Sequence, residues 1–151
     1  MELLIVEIDH AYVGFPTSDV KEVVRAARLS PALNANANMK GMLNLRGTVV
    51  PVVSLRTLLG LAERNIVSTD HFILLLTQST TFAVHVDRAI DILDVLDSPS
   101  IGIDRDLAAS VPHADFGVVH IHRASSLWTQ VGLSSSSGPL GRDQPVGTAS
   151  P

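Results

Sequence analysis

The apolar residues of this chain come in short runs, and the longest unbroken one, FILLL at 72–76, is five residues. A helix that spans a bilayer needs about 20, so none of these runs reads as a membrane span. Short runs rich in Val, Ile and Leu, bounded by turn formers, fit buried strands. The pattern recurs in LLIVEI, AYVGF, TVVPVV, FAVHV and FGVVHI, with Asp, Asn, Gly, Pro and Ser between them. Many short strands at regular spacing predict an all-β fold, a barrel or a sandwich. The 151 residues fit one domain. Hydrophobic residues are 46% of the chain but aromatics only 4%, so the core is expected to be mostly Val, Leu, Ile and Ala. The β-branched members of that set favour strands.

LLIVEID and AYVGF flank Asp9-His10, which predicts a hairpin over 3–15. In the next segment Ser18 or Asp19 could cap a short helix with Val20, Val23, Val24 and Ala27 on one face, but its β-branched valines suit a strand equally. Residues 29–41, with several Asn, read as a loop. Gly47 divides MLNLRGTVVPVV into two extended pieces, and Pro51, with no N–H to donate, belongs at an edge or a bulge. Ser54 is a good N-cap for LRTLL, with Gly60 as its stop. A second hairpin is expected around Ser79-Thr80, with Phe82, Val84 and Val86 on one face and Ala83, His85 and Asp87 on the other. RAIDILDVLD fits a strand or an amphipathic helix; 98–116 reads as a long loop, FGVVHIH as a last strand, and ASSLWTQVG as a closing helix or turn. The Ser/Gly/Pro-rich stretch from Ser134 to Pro151 reads as a disordered tail after a domain ending at 133.

The net charge of −4 argues against a nucleic-acid partner, which needs clustered Lys and Arg. With no cysteine, disulfides, thiolate metal sites and Cys nucleophiles are excluded. The N-terminus has an acid at residue 2 and no basic segment before its apolar run, so it does not read as a signal peptide. A soluble cytoplasmic protein without membrane insertion is expected. No nucleophile elbow, P-loop or dinucleotide fingerprint occurs. His120 and His122, two apart on a predicted strand, would share a face and could share a metal ion. Asp87, Asp91, Asp94 and Asp97 read as a solvated acidic face. Arg46, between Leu45 and Gly47, could pair with an acid such as Glu22 or present its donor fork to a partner.

The stretch GMLNLRGTVVPVVSLRTLLGL (41–61) closely resembles the signature of the CheW family of chemotaxis coupling proteins. AYVGFPTSDVKEVVR (11–25) and FAVHVDRAIDILDV (82–95) resemble two further family segments in the same order, so that the resemblance covers about 3–133. It implies two SH3-like five-stranded β-barrels around a shared core. It also implies an adaptor rather than an enzyme, with no cofactor and no metal. The implied partners are the cytoplasmic tip of a chemoreceptor and the regulatory domain of a CheA-type histidine kinase; some relatives serve pilus-driven motility arrays. By position, Val20, Glu22, Val23 and Arg46 would line the receptor groove, and Gly41 and Gly47 would hold the turns that shape it. A receptor's helical hairpin tip would make this helix-in-groove recognition.

The chain departs from the family pattern in three places. Ser54 stands where an Asp is usual, 29–40 lacks the usual apolar-Pro ending, and Ile121 is followed by His122-Arg123 instead of Leu-Asp. The last change puts a cation at the start of the closing helix, against its dipole. A poorly capped C-terminal helix is therefore expected.

Overall fold

A computed structural model describes residues 1–32, 37–95 and 110–136, with side chains to 132. Ten strands form two five-stranded sheets. The first contains β1 (Glu2–Ile8), β2 (Ala11–Pro16), β8 (Arg88–Asp94), β9 (Ser110–His113) and β10 (Gly117–Ile121), in the order β8-β1-β2-β10-β9. The second contains β3 (Val20–Arg25), β4 (Met39–Leu45), β5 (Thr48–Val53), β6 (His71–Leu76) and β7 (Thr81–Val86), in the order β3-β6-β7-β5-β4. Helix α1 (Leu55–Leu58) follows β5, and α2 (Ala124–Ser136) closes the described chain.

The apolar runs are unbroken because the central strands are buried on both faces. In β1, Leu3 and Ile5 pack with Val111, Val119 and Ile121 inside the first sheet's own curve. Leu4, Val6 and Ile8 point the other way, into a core shared by both sheets. In β6, Phe72 and Leu74 fill the second sheet's interior, while Ile73 and Leu75 join the shared core. β7 divides as expected: Phe82, Val84 and Val86 enter the shared core, and Ala83 the other one. Leu127, Val131 and Trp128 of α2 cover the shared core, with the Trp128 ring 4.9 Å from Phe82.

Both hairpins form where expected, with Ile8 paired to Ala11 and Leu76 to Thr81. Of the segments left open between helix and strand, 17–27 supplies a single 3-10 turn (Thr17–Asp19) and β3, and 88–97 supplies β8, with residues 96 and 97 outside the described ones. In each case a strand satisfies an open edge, of β6 and of β1. Ser54 caps α1 by accepting the Thr57 N–H at 3.2 Å. Gly60, at φ 76, ends it, with Leu61 N bonded to Arg56 O and Gly60 N to Thr57 O, a Schellman closure.

Four expectations need correction. The 98–116 loop contains β9, held by buried Val111; Pro112 is tolerated because β9 is an edge strand. Pro51 lies in an interior strand, but β5 meets β7 only at Val52 and Val53, so the missing N–H breaks no ladder there. The closing helix is longer than expected: its backbone runs through Ser136, past the start of the expected tail. The rest of that tail, 137–151, lies outside the described residues, as does Asp97. Finally, neither sheet closes into a barrel through a continuous ladder among the described residues. The second is nonetheless rolled. Ser30, beyond β3, bridges to Met42 of β4 at the opposite edge.

Candidate functional site

Arg46 and Gly47 are the two central residues of the β4–β5 hairpin, between paired Leu45 and Thr48. Both have positive φ, 53 and 86, the pattern of a type I′ turn. Asn44 supports the turn by accepting the Gly47 N–H at 3.1 Å. Such turns favour Asn or Gly at the first central position, and an arginine there is strained. Its guanidinium reaches the far edge of the rolled sheet. Nη2 donates to Glu22 Oε1 at 2.8 Å and to Oε2 at 3.1 Å. The arginine is still 69% exposed, and the pairing raises its already high pKa.

Of the four expected groove residues, the fold joins Arg46 and Glu22 directly. Val20 packs against the shared core. Val23 is 39% exposed, on the face of β3 opposite Glu22 because successive strand residues alternate. Gly47 holds a turn, but Gly41 lies within β4 at a register shift. A Cβ there would meet Ser30 O at 2.6 Å, so Gly41 permits the close approach that rolls the sheet.

Next to β3 is a cleft of about 570 Å3 where the 3-10 turn, the β6–β7 turn and α2 converge, lined by Asp19, Leu76, Gln78, Arg123, Ser125 and Trp128. The expectation of a poorly capped α2 fails here. Asp19, far away in sequence, accepts the Ala124 N–H at 3.0 Å and takes Arg123 Nε at 3.0 Å. Its carboxylate caps the helix and neutralises the cation that opposed the dipole.

The pairing of His120 and His122 also fails. β10 ends at Ile121, and His122 turns inward. His120 is exposed beside Ser110, whereas His122 is buried and its Nδ1 has no hydrogen-bond partner. Burial pushes the His122 pKa down to about 4, with the His120 charge adding to the effect. No group of three potential metal ligands occurs among the described residues.

Sequence reasoning missed an ion chain. Buried Arg56 donates to Asp9 and, at 2.7 Å, to Asp87; Arg64 donates to Asp87 at 2.6 Å and to both oxygens of Asp70 at 2.8 Å. Asp70 in turn accepts from His85 Nε2 at 2.7 Å. Burial alone would raise Asp70 and Asp87, but together the hydrogen bonds from Arg64, the Val67 N–H and His85 at Asp70, and from Arg56, the Asp9 N–H and Arg64 at Asp87, with the neighbouring positive charges, outweigh it and hold both below the usual carboxylate range. Burial lowers the His85 pKa, partly opposed by Asp70. Asp87 is therefore not part of a solvated acidic face, although Asp91 and Asp94 are exposed. The available signal was the alternation in β7, which puts His85 and Asp87 on the buried Ala83 face and so requires partners for them.

A CheW-like domain model matches residues 2–117. The chain belongs to the CheW-like domain family. Curated relatives of that family include the chemotaxis protein CheW of Thermotoga maritima, 27% identical over 99 residues, covering 64% of this chain and 64% of the relative. That of Treponema pallidum is 24% identical over 98 residues, covering 62% and 58%. The matched region thus spans somewhat less than two thirds of these relatives' length. Among solved structures, the scaffolding protein TtCheW of Thermoanaerobacter tengcongensis superposes with a TM-score of 0.69 at 19% identity, over 80% of this chain and 87% of that one. The CheW-like fold therefore holds at low identity. The family match stops at Gly117, before most of β10 and all of α2.

Proposed function

We propose that this chain is a non-enzymatic adaptor of a chemotaxis-type signalling array in the cytoplasm, linking a chemoreceptor's cytoplasmic tip to the regulatory domain of a CheA-type histidine kinase. Its two sheets act as SH3-like halves around the shared core. Glu22 and Arg46 form the rim that meets the receptor's helical hairpin, while Val23 is exposed on the other face of β3 and Val20 anchors the strand on the shared core.

The observation that carries this reading is Arg46 itself. It occupies a strained turn position, keeps most of its surface open, and has its fork oriented by Glu22. Strain kept at an exposed arginine suits a residue displayed to a partner, and arginine is enriched at interface hot spots. The Glu22 pair preorganises the side chain, which reduces the ordering cost of binding.

The test is a pull-down with a receptor cytoplasmic fragment and a CheA-type kinase. The wild type retains both. Arg46→Glu, which sets two carboxylates against each other, and Glu22→Lys lose the receptor and keep the kinase. If the wild type retains neither partner, the adaptor reading is wrong. Normal receptor binding by both variants would remove the rim assignment alone.

A further inference from the structure

Among the described residues the chain crosses between its two sheets twice, through 17–19 from β2 to β3 and at Asp87 from β7 to β8. A carboxylate sits at each crossing. Asp19 accepts from Arg123 Nε at 3.0 Å, Arg123 Nη2 at 3.3 Å and the Ala124 N–H at 3.0 Å. Asp87 accepts from Arg56 at 2.7 Å, Arg64 at 2.6 Å and the Asp9 N–H at 2.8 Å.

We propose that Asp19 and Asp87 are positioning residues that pin the two crossings and hold the two sheets at one relative orientation. Two bodies joined by two short connections can still rotate about the line through those connections. The shared core joins the sheets through close-packed apolar contacts, but these carry no directional bond that selects one angle. Charge-assisted hydrogen bonds are directional, and each carboxylate reaches both sides. Asp19, leading into β3 of the second sheet, takes its donors from the segment just after β10 of the first. Asp87 joins Arg56 and Arg64, from the connection after β5, to the β1–β2 turn. Asp9 completes the second pin by sharing Arg56, and its φ of 54 is held by these bonds. The cleft beside β3 has the first pin in its wall. Its shape, and the placement of the Glu22–Arg46 rim relative to the first sheet, would follow from the pinned angle. That consequence rests on the adaptor reading; the pinning does not.

The cysteine-free chain allows a direct test. Val49→Cys in β5 and Val118→Cys in β10, exposed positions on different sheets, take spin labels in the full chain. Dipolar spectroscopy then reads the distance between the halves. The otherwise unaltered chain gives one narrow distance. Arg123→Gln removes the ion pair at a side chain 58% exposed, so folding is retained. Asp19→Asn keeps an acceptor for the Ala124 N–H while losing the charge. Both are expected to broaden the distribution or add a second distance at temperatures where far-ultraviolet circular dichroism stays native. Ile73→Ala, which loosens the shared core from β6 and is bonded to neither pin, keeps the narrow peak under the same conditions. Unchanged distributions in both variants of the Asp19 pin overturn the proposal, and so does equal broadening by Ile73→Ala. No partner is present in this measurement, so its failure is distinct from failure of the receptor and kinase pull-down.

Discussion

Arg46 and His122 are both placed at some cost in stability, for different reasons. Arg46 occupies a backbone region that disfavours a Cβ, and an Asn at the same position would fit the turn better. His122 is an imidazole buried without a partner for Nδ1. Its folded pKa of about 4 lies below the ordinary value of 6.5, so the unfolded chain binds the proton more readily. The stability tied to its neutral form is complete above about pH 6.5 and is lost as pH falls toward about 4, by on the order of 3 kcal/mol across that window. His85, also lowered, adds to this loss in the same direction. Asp70 and Asp87 act in a lower range, because their depressed pKa values keep their contribution intact until the pH falls below about 4. Replacing His122 with Leu should flatten the decline between pH 6.5 and 4. Urea unfolding at pH 7 and pH 5 compares the two chains, and an equally steep decline in His122→Leu would show that the buried imidazole is not its source.

At the scale of elements, the second sheet depends on one glycine for its roll. Gly41 lets Ser30 bond to Met42 in both directions, at 2.9 and 2.7 Å. An alanine there would press its Cβ against Ser30 O and strain a φ of 150. Gly41→Ala should release the segment after β3 from β4 and destabilise the chain by roughly 1–3 kcal/mol. Hydrogen exchange is the suitable measurement, because the Ser30 and Met42 amides should lose protection while those of β6 and β7 keep it. Uniform protection in the variant would show that the sheet is rolled by other contacts. Helix α2 follows a different rule. None of its flanking residues supplies the cap, and an acid more than a hundred positions earlier in the chain does so.

In the whole molecule, three apolar cores stack through the central strands, and the ion chain from Asp9 to His85 runs beside them. Arg56 is its best-buried cation, with a side chain 4% exposed and carboxylates of both halves as partners. Removing one member of a buried pair leaves charge without compensation. Arg56→Ala should therefore lower stability by about 3–5 kcal/mol, read from the urea midpoint at pH 7. A loss below about 1 kcal/mol would mean that water or Arg64 replaces it. No helix among the described residues is long and apolar enough to cross a membrane.

The sequence by itself determined the β class, the two hairpins, the Ser54 cap with its Gly60 stop, and the facing of β7. Those features depend on interactions within a few residues or on a period of two along one strand, and local patterns encode both. It also singled out Arg46 and Glu22 as a pair, through their charges and the family resemblance. Only the tertiary structure decided that Val20–Arg25 and Arg88–Asp94 are strands, because an open neighbouring edge settled a tie that propensity left standing. It alone separated His120 from His122, since the strand ends one residue before the second histidine. Asp19 and Arg123 show the limit most clearly. Read along the chain, Arg123 is an unfavourable charge at a helix start; folded, it is half of an ion pair whose other half lies 104 residues away. Partners that distant in sequence leave no local periodicity, so only the fold brings them into view.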